Sequence, residues 1–190
     1  MRLTPLFLVC AVLVAATAPA EPQAAMRVSR VQAEADFGAQ LLFPCLTHVE
    51  RGVPIAELPQ TYRAGLVAAP PDARFKGGRF EGATSTWYSK LMGANLSVVE
   101  VGADKCIVVA DQLPVDETLR LAAEATTRLK PPFAQVAPKP SYDWPVVYET
   151  QRTINGKKIT ARFEGAEPGA AGHLYRFSLM FATVTTQTAP

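Results

Sequence analysis

Asn155-Gly156 stands between two runs in which apolar and polar residues alternate, and no other dipeptide restricts the fold so tightly. Asn-Gly suits a two-residue hairpin loop because both positions take positive φ, and such a loop leaves the flanking strands a single register. In that register Tyr148 faces Phe163, Glu149 faces Arg162, Thr150 faces Ala161, Gln151 faces Thr160, Arg152 faces Ile159, Thr153 faces Lys158 and Ile154 faces Lys157. One side of the ladder then collects Tyr148, Phe163, Ala161 and Ile159. The other pairs Glu149 with Arg162, Gln151 with Thr160 and Thr153 with Lys158. A sheet with one covered face demands this separation of apolar from polar.

Period-two patterning recurs on both sides of that hairpin. Trp87, Ser89 and Leu91 alternate with Tyr88 and Lys90, and further strands are predicted over 95–101 and 105–110. Gly93-Ala94-Asn95 and Gly102-Ala103-Asp104 supply the tight turns between them. After the hairpin strands, 144–153 and 157–164, a last strand is predicted over 174–184. In it Tyr175, Phe177, Leu179 and Phe181 share one face, with Arg176 and Ser178 on the other. About six antiparallel strands result.

Two segments carry helical spacing instead. Ser29 and Gln32 form a capping box ahead of Val31, Ala35, Leu42, Cys45, Leu46 and Val49, which predicts a helix over 29–50. Pro44 lacks a backbone donor, so a kink or break is expected near 40–43, and Gly52 with Pro54 ends the element. Pro114 and Asp116 open a second helix with the stripe Leu119, Ala122, Ala123, Thr126 and Leu129, stopped by Pro131-Pro132. The Pro/Gly-rich segments 53–83 and 131–145 read as long loops, the first with a short helix over 55–64. The expected architecture is a two-layer α+β domain, with both helices on one face of a sheet of about six strands. The order of elements suggests a loose duplication of an αβββ unit.

Arg2, the uncharged run 3–17 and Ala18-Pro19-Ala20 have the three regions of a secretory signal peptide, so residues 1–20 are expected to be removed and 21–190 to fold as one domain. No later stretch is apolar enough to span a bilayer, which predicts a periplasmic or secreted protein without a membrane span. The formal net charge of +2, with 19 basic and 17 acidic residues interspersed, provides no basic footprint for nucleic acid.

Cys10 leaves with the leader, and the remaining pair, Cys45 and Cys106, is expected to form a disulfide in an oxidising compartment. The competing reading makes Cys45 a nucleophile with His48, three residues on, as its base. That requires an exposed sulfur of low pKa, whereas Leu41, Leu42, Phe43 and Leu46 surround this one with apolar side chains. His48 then reads as a surface or half-buried residue near a helix C-terminus. Zinc needs three or four ligands, and the one other histidine, His173, lies far along the chain, so neither a metal nor another cofactor is expected. Gly-x-Ser-x-Gly, His-Glu-x-x-His, Cys-x-x-Cys and phosphate-loop patterns are all missing.

The favoured expectation is a non-catalytic exported domain that binds a protein, peptide or other envelope component. Tyr62, Phe75, Phe80, Phe133, Tyr142 and Trp144 punctuate the two long loops, and of these Phe133, Tyr142 and Trp144 are the candidate partner-binding residues. The alternatives are a hydrolase or thiol-dependent enzyme centred on Cys45 and His48, and an inhibitor or immunity-type protein presenting the 165–172 segment.

Overall fold

The computed structural model describes residues 32–69, 75–89, 95–140, 143–170 and 177–188. The expected signal peptide and Ser29 of the capping box lie outside them. Eight strands form a single antiparallel sheet: β1 (Leu66–Ala69), β2 (Ala83–Ser89), β3 (Leu96–Val101), β4 (Lys105–Asp111), β5 (Ala134–Val136), β6 (Val146–Ile154), β7 (Lys157–Ala166) and β8 (Leu179–Thr188). Their spatial order is β1-β2-β3-β4-β8-β7-β6-β5. The expectation of about six strands is therefore corrected to eight. Both additions, β1 and β5, are short edge strands inside the Pro/Gly-rich segments that read as loops, and each pairs with one neighbour only. In chain order a helix followed by four strands occurs twice, and the two groups of strands meet where β4 pairs β8.

The β6–β7 hairpin has the register that the Asn-Gly turn imposes, from Ile154 opposite Lys157 to Tyr148 opposite Phe163. Asn155 has φ 50° and Gly156 φ 69°, the two positive values such a loop requires. The last strand differs from expectation at both ends. It starts at Leu179, with Phe177 and Ser178 ahead of it outside the strand, and runs on to Thr188, while 174–176 lie outside the described residues.

The first helix, α1 (32–51), departs from regular α-helical geometry at the place where a kink or break was expected, although no residue there leaves the helix. Leu41–Cys45 form a π-helical turn that contains Pro44, and Leu46–Arg51 continue as α-helix. The wider turn absorbs the proline, whose ring and missing donor cannot be fitted into regular i to i−4 spacing. Gly52, with φ 66°, closes the helix through its N–H to the His48 carbonyl at 2.7 Å. In place of the short helix over 55–64 there is one 3-10 turn, Ile55–Glu57, followed by turns.

The second helix, α2 (Val115–Thr127), buries Val115, Leu119, Ala122, Ala123 and Thr126, the last four being part of its predicted stripe. Glu167 caps it from outside, its carboxylate accepting the Val115 N–H at 2.8 Å. Gly165 lets α2 approach β7 closely: a Cβ at that position would lie 2.3 Å from Val115 Cγ1 and 3.1 Å from Leu119 Cδ1.

Apolar side chains of both helices share one cluster with one face of the sheet. Phe37, Leu41, Val49 and Leu119 pack there with Val98, Val108, Phe163 and Met180. Cys45 and Cys106 are bonded inside it, with Cα atoms 5.4 Å apart and 61 positions between them in the chain, so α1 is tied to β4.

Candidate functional site

His48 is buried, at 2% exposure, which corrects the expectation of a surface or half-buried imidazole. The preceding π turn and the bonded Cys45 hold α1 against the sheet, so the last turn of the helix cannot lift its histidine into solvent. Its Nδ1 lies 2.8 Å from the Val53 carbonyl and its Nε2 3.0 Å from the Gly102 carbonyl. Glu100, also buried, places one carboxylate oxygen 4.0 Å from Nδ1. The other accepts the Trp87 indole N–H at 2.9 Å and the Ile55 N–H at 3.1 Å. His48 and Glu100 thus stitch α1, the Val53–Ile55 segment, β2 and β3 together. The neighbouring sulfur is bonded to Cys106 and inaccessible, so no thiolate is available there for a base to activate.

Of the three candidate partner-binding residues, the two that are described, Phe133 and Trp144, do not come together. Phe133 is 2% exposed in the helix-side cluster, with the Arg152 guanidinium 4.6 Å from its ring centroid. Trp144 belongs to a second cluster, and Tyr142 lies outside the described residues. In the 165–172 segment, Gly165 and Ala166 belong to β7 and Glu167 is engaged at α2. Among the described residues, no group of three or more His, Cys, Asp and Glu is arranged to hold a metal ion.

Strand periodicity builds the second cluster. Along β4, Cys106, Val108 and Ala110 join the helix-side core, while Ile107 and Val109 point to the opposite face. Asp111 is in step with those two. The same alternation brings Val99 and Val101 from β3, Tyr88 from β2, and Leu179 and Phe181 from β8 to that face. Phe75 and Phe80, from the segment between β1 and β2, fold over it with their rings 5.0 Å apart.

The face away from the helices is divided into two chemistries. On β6 and β7 it is charged: Arg162 bridges Glu149 at 3.1 Å and Glu164 at 3.0 Å, and Arg79 meets Glu164 at 3.2 Å. On β2, β3, β4 and β8 it is mainly apolar, through Tyr88, Val99, Val101, Ile107, Val109, Leu179 and Phe181. The boundary is Arg79, whose guanidinium carbon lies 3.9 Å from the Phe181 ring centroid and 5.1 Å from that of Trp144. Burial pushes the Arg79 pKa below the ordinary arginine value, against the opposing pull of Glu164. Lys105, which donates to the Arg79 carbonyl at 2.5 Å, is lowered by burial first and by the Arg79 charge second.

On the apolar side an open groove of about 710 Å3 runs between Phe75, Phe80, Tyr88, Phe177, Leu179 and Phe181. Phe177 stands 58% exposed, the most exposed of the large apolar side chains described. The polar groups of the wall are Ser89, Asn95, Ser97, Asp111 and Ser178. Asn95 Nδ2 reaches both Asp111 carboxylate oxygens, at 3.1 and 3.2 Å. Sequence reasoning had noted Phe75 and Phe80 among the loop aromatics and missed Phe177 and Asp111 as members of a site. For Asp111 the signal was present, since it continues the Ile107–Val109 alternation by one step.

Comparisons of the chain with protein-family models, with curated proteins and with solved structures give no match. No described helix is long and apolar enough to cross a membrane.

Proposed function

We propose that this chain is an exported, non-catalytic domain that binds an apolar component of the cell envelope in the groove on the sheet face away from the helices. The observation that carries the reading is the groove itself: an open, aromatic-walled concavity with Phe177 left largely in solvent. Concave, mostly apolar surfaces with a few placed polar groups are the usual form of ligand sites, and apolar side chains grouped at the surface mark contact with something else. The accompanying view of the fold is two-layered. The helices cover one face and leave the other for the ligand. Export is supported by the leader-like composition of 1–20 and by the bonded Cys45–Cys106 pair.

The test uses a neutral apolar fluorophore, N-phenyl-1-naphthylamine. Folded protein is expected to enhance its emission. Phe177→Ala is expected to weaken that binding severalfold while leaving stability within about 0.5 kcal/mol, as for most surface substitutions. No enhancement by folded protein, or equal enhancement by the variant, would sink the proposal.

A further inference from the structure

The charged and apolar halves of the face away from the helices meet at one short turn. Gly78–Phe80 form a 3-10 turn between Gly77 (φ 75°) and Gly82 (φ 80°), closed by the Phe80 N–H to the Gly77 carbonyl at 3.0 Å. With three residues per turn, consecutive side chains diverge by about 120°, so Arg79 and Phe80 leave the same turn toward different neighbours. Arg79 reaches Glu164 on β7 at 3.2 Å. Phe80 joins the groove wall, its ring 5.0 Å from that of Phe75 and 6.2 Å from that of Phe181. Phe181 carries both residues, since the Arg79 guanidinium carbon lies 3.9 Å from its ring centroid. Solvent still reaches the ion pair, whose Arg79 and Glu164 side chains are 25% and 11% exposed.

Resting on the groove reading, we infer that Arg79 is a positioning residue for ligand binding: its ion pair with Glu164 pins the Gly78–Phe80 turn to β7 and so fixes Phe80, one residue on, as a wall of the groove. A neutral apolar ligand then binds with an affinity that depends on ionic strength, because the charge pair acts on the wall and not on the ligand. Salt weakens an ion pair that solvent can reach. A turn released from β7 leaves Phe80 to be ordered by the ligand, at a cost in affinity. Substituting the Arg79 side chain leaves the turn attached, since Lys105 holds it through the Arg79 carbonyl, a backbone atom.

Titrating N-phenyl-1-naphthylamine into folded protein at about 10 mM and about 150 mM sodium chloride tests this, because the screening length falls from about 30 to about 8 Å over that range. Wild-type affinity is expected to fall about threefold across it, the scale of a partly exposed ion pair. Arg79→Gln and Glu164→Gln should each bind, at both salt concentrations, as weakly as wild type does at the higher one, and the double variant no more weakly than either. Arg79→Lys, which keeps the charge, should restore part of the salt dependence. Arg120→Gln, which removes the exposed Arg120–Glu124 pair on α2, should bind as wild type does. If wild-type affinity does not fall with salt, or if Arg79→Gln weakens binding but keeps the wild-type salt dependence, the inference fails and the groove reading stands. Loss of the salt dependence in Arg120→Gln would equally overturn it. The wild-type comparison needs no variant to fold. If wild type does not enhance the dye's emission at either salt concentration, both readings fail.

Discussion

Phe133 and Trp144 look alike in the sequence, since each is an aromatic residue in a proline-rich segment, yet they end on opposite faces of the sheet. Proline content identifies an irregular backbone but carries no information about which side of a sheet that backbone crosses. Phe133 fills the helix-side core under Arg152, so Phe133→Ala is expected to cost about 3 to 5 kcal/mol by the usual cavity penalty. Denaturant titration measures it, and the residual folded fraction should still bind apolar ligand. The fate of His48 was equally hidden. Its partners are the carbonyls of Val53 and Gly102, and the second of these lies 54 positions away, which no local pattern encodes.

At the level of elements, what could be inferred followed the length of the periodic run. β6 and β7, with nine and ten residues and a turn that admits one register, were legible to the individual residue pair. β1 and β5, with four and three residues, are too short to show an alternation and are held as strands by their neighbours rather than by their own pattern. The packing of α2 on β7 hinges on the absence of a side chain at Gly165, against which Val115 and Leu119 close. Gly165→Ala is expected to destabilise the domain by about 1 to 3 kcal/mol, the range for overpacked sites. Thermal melts would show the loss. A simultaneous Val115→Ala substitution, which removes the atom that a Cβ meets at 2.3 Å, is expected to recover part of it.

Across the whole molecule, the Cys45–Cys106 bond spans 61 positions and joins the first helix to the middle of the sheet. Closing a loop of that length restricts the unfolded chain by about 4 kcal/mol in the entropic model. The paired substitution Cys45→Ala with Cys106→Ala is expected to lower unfolding free energy by about that much, and reduction of the native protein in denaturant should reproduce the shift. The pairing was legible because only two cysteines, Cys45 and Cys106, lie beyond the apolar run 3–17. The groove was not, because it requires β2, β3, β4 and β8 to lie side by side, and strand order depends on contacts between distant segments.

That order places the last strand of the chain in the interior of the sheet, between β4 and β7. Until residues 179–188 are in place, the four strands β1–β4 and the three strands β5–β7 have nothing to join them edge to edge, and the groove lacks Leu179 and Phe181 from its rim. The closed sheet therefore depends on residues 179–188, the one segment that both groups of strands must share as a neighbour.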